Sequence, residues 1–430
     1  MLDIKWIEAH AEEVQHSADA KGIKLSVNEL ITTNQHRITH LQQLEQLRAT
    51  RNVLTTEIHQ AIQEGNTNQA EQHKLTMKHN KQALEQAQAR WQEANQQYEA
   101  LMLLVPNIIS ADTPHGESDK DNVILRHYLE PTNFDFLIKD HVELGDLHQM
   151  IDIPSGTKTS GSRQYYLTGM GFKLHRAVQQ LAIDLLAAKG FEFMEVPLMV
   201  KTEAMVNTGF FPVGQDQSFH LEGQDYWLVG TSEVPLISYF SGKKLNVTEP
   251  IKVAAVSTCF RSEVGSAGRD TSGLYRVHQF SKVEQVIICE NDLALSQQLH
   301  EEITRNAEEL LQLLELPYRV MAVCSGDMSQ KTYKQYDIET WMPSRQAYGE
   351  THSSSNLLQF QARRANIAYM DADGRSTYCH TLNNTAVATP RILIPLLENH
   401  QQQDGSIYVP KALRPYLQGL EYIEINNENN

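Results

Sequence analysis

The stretch CFRSEVGSAGRDTSGLYRVHQFSKVEQV, residues 259–286, gathers charged side chains that could handle two polar reactants at once. A strand is expected to end in Phe260-Arg261-Ser262-Glu263. A loop with three glycines follows, and a second strand returns through Arg276, Phe280 and Glu284. On one side of such a hairpin, Arg261 and Arg276 with Glu263 and Glu284 can hold an anionic nucleotide beside a cationic amino group. A guanidinium neutralises carboxylate or phosphate through its planar fork, and Phe280 offers a flat face to a purine. Taken by itself, a salt-bridged surface hairpin explains the same residues. No G-x-G-x-x-G follows a first strand and no GKS or GKT loop occurs, so neither a dinucleotide fold nor a P-loop is supported.

The elements that must position these groups divide into two periodicities. Residues 27–106 contain one glycine, one proline and no aspartate. Leu44, Leu47, Arg51, Leu54, Ile58 and Ala61 step alternately by three and four, the seam of a two-stranded coiled coil. The rhythm resumes after Glu64-Gly65-Asn66 through Leu84, Ala87, Trp91, Ala94, Tyr98, Leu101 and Val105, and Pro106 stops it. The spacing predicts an antiparallel helical hairpin about 50 Å long. Its seven bases oppose eight glutamates, and its bases, Gln, Asn and His suit either phosphate and ribose contacts or an ordinary dimerisation arm.

Residues 107–165, rich in Pro, Gly, Asp and Ser, read as a connector. Beyond them Leu174, Val178, Leu181 and Leu185 mark an amphipathic helix closed by Gly190. Strand-like runs FEFMEVPLMV, DYWLVG, IKVAAVSTCF, VHQFSKVEQVIICE, YRVMAV and YDIETWMP come next, joined by turns and loops more than by regular crossover helices. An α+β fold follows, a mainly antiparallel sheet covered by helices near 291–315, 354–369 and 388–401.

A formal charge of −16 argues against a surface coated for non-specific nucleic-acid binding, though not against a local RNA-binding surface. The apolar runs are too short for a membrane span, and the start carries acids where a secretory signal would carry bases. The four cysteines, at 259, 289, 324 and 379, have no paired CxxC spacing, so reduced, buried thiols are expected and no zinc. A cytoplasmic location is the expectation.

In chain order, six segments resemble the seryl-tRNA synthetases of bacterial type, among the class II aminoacyl-tRNA synthetases. GFEFMEVP (190–197) is similar to motif 1, a dimer-interface helix leading into a strand that ends at Pro197; the 259–286 hairpin is similar to motif 2; ATPRILIPLLENHQ (388–401) is similar to motif 3. LVGTSEVPL (228–236) resembles the family's TxE loop, GETHSSSNLLQFQARRA (349–365) its ATP and metal segment, and HTLNNTA (380–386) its serine pocket. The opening MLDIKWI and the arm also fit, so the resemblance runs from residue 1 to about 420.

The resemblance implies a homodimeric serine–tRNA ligase. It would activate L-serine with ATP as seryl-adenylate and transfer it to tRNA(Ser), with tRNA(Sec) left open as a second acceptor. Residues 1–106 would be a tRNA-binding domain with the coiled-coil arm and 166–430 the catalytic domain, the arm of one subunit gripping tRNA whose end enters the other subunit. By the same resemblance Arg261 meets both the serine carboxylate and the α-phosphate, Ser262 and Glu263 lie on the adenine side, and Phe280 stacks on the ring. Arg276 and Arg391 hold the β- and γ-phosphates. Glu350 and Ser353 resemble Mg²⁺ ligands within the ATP segment Glu350-Thr351-His352-Ser353, His352 having no individual role. Thr231, Ser232, Glu233 and Glu284 resemble the pocket for serine's amino group, and Asn383 and Thr385 the part that reads its hydroxyl. Arg261, Glu350 and Arg391 are the residues expected to carry catalysis.

Three positions depart from the usual family pattern: Ser272 and Gly349 stand where arginine is common, and Ser354 where cysteine is. They leave room for a specialised paralogue, inhibitor-tolerant or biosynthetic. An amino acid:carrier-protein ligase shares such a core but generally lacks a long arm. A non-enzymatic coiled-coil scaffold would not need Arg261, Glu263, Arg276, Glu284, Glu350 and Arg391 together.

Overall fold

The computed structural model describes residues 1–264 and 273–425, and contacts divide the chain into two compact units, Leu2–Val105 and Met1 with Pro106–Asn430.

In the first unit, two short helices, Ile4–Ala9 and Ala11–Ala20, precede a pair of long ones, α1 (Val27–Gln63) and α2 (Thr67–Leu104). Ser26 starts α1 by accepting the Glu29 N–H, and Asn66 starts α2 by accepting that of Gln69, each satisfying an end-of-helix donor. Gly65, at φ +71°, turns the chain between them. Leu44, Leu54, Ala61, Ala70, Ala94 and Met102 are buried along the seam. Arg51, expected on that seam, is exposed: its long stem lets the charged head reach water. Asn80 is a seam residue that the periodicity missed. It is buried, and its Nδ2 donates to the Leu47 carbonyl at 3.4 Å.

The second unit is built on an eight-stranded sheet of β1 (Val123–Tyr128), β2 (Glu192–Phe193), β3 (Ile251–Phe260), β4 (Gln279–Cys289), β5 (Tyr318–Ala322), β6 (Lys334–Met342), β7 (Ala347–Leu358) and β8 (His380–Thr389). Their spatial order is β1-β5-β6-β7-β8-β4-β3-β2. Every neighbouring pair is antiparallel except the edge pair β2 and β3. This is the mainly antiparallel sheet expected. Its helices include α3 (His141–Leu147), α4 (Gly169–Ala188), α5 (Glu233–Tyr239), α6 (Leu293–Leu313), α7 (Phe360–Ala365) and α8 (Leu393–His400).

Three details differ from the sequence reading. The strand after α4 is two residues long and ends at Phe193, short of Pro197. The region 354–369 is not one helix: β7 runs on to Leu358, and α7 occupies only six residues. Arg276 sits before β4, which begins at Gln279.

Alternation along β3 and β4 explains how one sheet serves two cores. Ala254 and Ile287 pack on one face with Leu174, Val178, Leu310 and Leu311 of α4 and α6. Val253, Ala255, Val286 and Ile288 pack on the other with Leu236 and Ile237 of α5 and Ala362 of α7. Burying each large aliphatic side chain stabilises the fold by about 1.5–3 kcal/mol. Phe280, Lys282 and Glu284 continue the second face at the period of two, where β4 emerges from the core. Among the described residues no helix is long and apolar enough to cross a membrane.

Candidate active site

Side chains from β4, β7, β8, the start of α5 and the ends of the hairpin line one cavity of about 220 Å³. Thr231, Glu233, Arg261, Glu263, Phe280, Glu284, Glu350, Thr351, His352, Ser353, Asn383, Thr385 and Arg391 all reach its wall. Residues from five of the six segments therefore meet, and the 190–197 segment contributes none to the wall. Ser232, Ser262 and Arg276 are not among the lining residues. Ser232 is buried at the start of α5. Ser262 donates its hydroxyl to the Asp216 carbonyl at 2.6 Å, and Arg276 Nη1 donates to Glu263 Oε2 at 3.2 Å. Ser272 lies outside the described residues.

At the hairpin end, the Arg261 guanidinium stands 5.2 Å from the Phe280 ring centroid. The same ring expected to face a purine thus also faces the arginine, a favourable cation–π arrangement. Arg391 is fixed from three sides. Its Nε donates to the Tyr275 carbonyl at 2.9 Å, its Nη1 donates to the Glu350 carbonyl at 3.0 Å, and its guanidinium lies 4.5 Å from the Tyr275 centroid. Arg345 approaches the same ring at 4.3 Å. Gly349 makes room for this stack: a Cβ there would meet Tyr275 Cε2 at 3.0 Å and Met342 Cε at 2.9 Å.

Two acids and two lysines, all buried, form the cavity's inner part. Lys282 Nζ lies 2.6 Å from Glu284 Oε2. Burial, more than any neighbour, pushes the Glu284 carboxyl above its ordinary range, and the charge of Glu233 adds to this. Lys331 Nζ donates to Glu233 Oε1 at 2.5 Å, and Gln361 Nε2 donates to the same oxygen at 2.6 Å. Asn383 is buried on the wall, and its Nδ2 has no hydrogen-bond partner among the described residues.

A third corner gathers oxygen donors. Glu350 is exposed, Ser353 Oγ accepts from Gln335 Nε2 at 3.3 Å, and Asp337 faces Ser353 across the β6–β7 ladder. Burial, and then the negative charge of Glu350, hold the Asp337 carboxyl well above its ordinary range. Hydroxyl and carboxylate oxygens, with negative charge left to neutralise, match the preferences of a hard divalent cation. His352 is a different case: burial drives its imidazole down to about 3, so it stays neutral across the working range.

Sequence reasoning missed Lys331, Lys282, Gln361, Phe210 and Tyr275. Lys282 and Tyr275 stood inside the quoted hairpin, and period two from Glu284 would have found Lys282. Lys331 and Gln361 meet Glu233 from 98 and 128 residues away, a separation at which no local pattern gives a signal.

Comparison with known proteins covers nearly the whole chain. Residues 1–109 match the family model for the seryl-tRNA synthetase N-terminal domain, and residues 218–400 match that for the tRNA synthetase class II core domain (G, H, P, S and T). The chain is 41% identical to a serine–tRNA ligase of Deinococcus radiodurans, over 98% of this chain and 99% of the relative. It is 39% identical to that of Bdellovibrio bacteriovorus over 97% and 99%. Among solved structures it is similar to seryl-tRNA synthetase from Pyrococcus horikoshii complexed with ATP, at TM-score 0.88 and 34% identity over 98% of this chain and 99% of that one.

Proposed function

The chain belongs to the seryl-tRNA synthetase family and ligates serine to tRNA at the expense of ATP; from that premise we propose how its own residues do so. One observation carries the reading. The groups suited to an amino acid (Thr231, Glu233, Glu284, Asn383, Thr385) and those suited to a nucleotide (Phe280, Glu350, Ser353, Arg391) share a cavity with Arg261 on its wall.

Arg261 holds the serine carboxylate against the α-phosphate. Glu233 and Glu284, with Thr231, receive the ammonium, while Asn383 and Thr385 read the hydroxyl. The unpartnered Asn383 Nδ2 suits a substrate oxygen. Such a pocket rejects alanine because the missing hydroxyl leaves buried polar groups unpaired. Phe280 and Glu263 receive the adenine, and Arg391 the terminal phosphates, with Arg276 acting through Glu263. Glu350 and Ser353 would hold Mg²⁺, whose charge would offset that of the phosphates.

The serine carboxylate attacks the α-phosphorus, the bond to the bridging oxygen breaks, and pyrophosphate departs with its electron pair. The 3′-hydroxyl of the terminal adenosine then attacks the adenylate carbonyl and AMP leaves. No side chain becomes covalently attached. Positioning and arginine neutralisation of developing charge supply the acceleration. The acceptor is tRNA(Ser), gripped by the α1–α2 arm of a partner subunit in a cytoplasmic homodimer.

Serine-dependent ATP–pyrophosphate exchange, run against threonine, alanine and cysteine, followed by tRNA(Ser) charging, tests this. Deleting 30–103 is expected to spare exchange and abolish charging. Exchange without charging in the intact chain would favour a carrier-protein ligase, and loss of both activities on deletion would sink the division of labour.

A further inference from the structure

Lys331 is a buried cation for which the activation chemistry has no use so far. It precedes β6, its side chain is one-tenth exposed, and it lines the cavity. Its Nζ is held between Glu233 Oε1 at 2.5 Å and the face of Phe210, 3.9 Å from the ring centroid. Gln361 shares that oxygen and is itself pinned: its Nε2 also donates to the Thr208 carbonyl at 2.9 Å, and its Oε1 accepts from Thr381 Oγ1 at 2.8 Å. Both side-chain contacts to Glu233 end on Oε1, which leaves Oε2 of this cavity-lining residue for a ligand.

Glu233 and Glu284 line the same buried cavity, so their like charges repel unless each has a cation beside it. Glu233 is faced by Lys331 and Gln361, and across the cavity by Glu284, Lys282 and Arg261. Lys282 is already committed to Glu284, and Arg261 stands at the outer, exposed end. Lys331 is therefore the cation in direct contact with Glu233.

We propose that Lys331 is a positioning residue for the amino-acid substrate: by binding Glu233 Oε1 it holds that carboxylate turned so that Oε2 receives the substrate's ammonium. The proposal rests on the serine-activation reading above. Lys331 touches neither serine nor ATP in this role; it acts through Glu233.

The test is a full-chain Lys331→Met variant in serine-dependent ATP–pyrophosphate exchange, with the serine and ATP KM values measured separately. Removing a charged hydrogen-bond partner from a buried carboxylate is expected to raise the serine KM about ten- to a hundredfold near pH 7, with the ATP KM nearly unchanged. In a Glu233→Gln background the same substitution has no further effect, because the group through which Lys331 acts has gone. An unchanged serine KM, equal losses in both KM values, or a penalty that persists beside Glu233→Gln overturns the proposal. So does a lower serine KM, which would mean that Lys331 competes with the substrate's ammonium. Lys331→Gln, which keeps a donor without the charge, is measured in parallel; failure of both variants to fold would make Lys331 a stability element only and also overturns it. Wild-type protein without serine-dependent exchange would instead sink the underlying reading.

Discussion

Replacing Glu398 by alanine strips one acceptor group from four donors at once. Glu398 lies in α8 with its side chain fully buried. Its Oε1 accepts from the His141 N–H at 3.1 Å, from His141 Nδ1 at 2.9 Å and from Ser344 Oγ at 2.9 Å, while its Oε2 accepts from the Ser344 N–H at 3.0 Å. His141 Nε2 in turn accepts the Leu274 N–H at 3.2 Å, so the carboxylate anchors the cavity wall beside Tyr275. Leaving a buried donor unpaired costs about 1–3 kcal/mol, and the two donors of Ser344, an exposed residue, recover most of theirs from water. Four donors then give a loss of about 3–5 kcal/mol for Glu398→Ala, a large share of the 5–15 kcal/mol typical of a folded domain. Glu398→Gln can keep its oxygen at the Oε1 position and sets its amide against one N–H, for about 1–3 kcal/mol. Urea titration followed by exchange activity and by tryptophan emission measures both. A loss under about 1 kcal/mol for alanine, or equal losses for the two variants, would refute the claim that this carboxylate ties α8 to the hairpin.

Arg261→Ala is expected to lower exchange by at least about a thousandfold with the fold intact, since it removes the group that faces both reactants; activity within tenfold of wild type contradicts that role. Arg391→Lys keeps a charge but loses the fork, so the ATP KM should rise about tenfold with the serine KM little changed, as read by the same assay. Gly349→Ala drives a methyl against Tyr275 and Met342 and should cost about 1–3 kcal/mol in stability while raising the ATP KM severalfold; a neutral outcome would show the stack to be soft. Asn80→Leu removes a polar group from the arm's apolar seam and should raise the arm's melting midpoint by an amount worth about 1 kcal/mol, read by circular dichroism.

The arm was legible because its heptad spacing is local and nearly uninterrupted, and α4 because Leu174, Val178, Leu181 and Leu185 repeat along one face. The antiparallel sheet was legible from β-branched runs without regular crossover helices between them. β7 escaped as a whole strand because AYGETHSSSNLL has no apolar alternation to announce it. It is a strand lining a polar cavity, and ladder pairing with β6 and β8 overrides its composition. At the site, the arginines and glutamates stood out through type and order, while Lys331, Gln361 and Glu398 did not. Each makes its decisive contact with a residue about 100 or more positions away, and nothing in the neighbouring sequence encodes that meeting.

All four cysteines are buried as free thiols, and burial pushes Cys289 and Cys379 up to about 12. Thiolate is the form that alkylates, so the native chain should resist maleimides while folded. One cysteine engineered at the exposed turn around Gly65 would then take a fluorophore selectively, giving an optical handle on the arm without first stripping the protein of its own sulfhydryls.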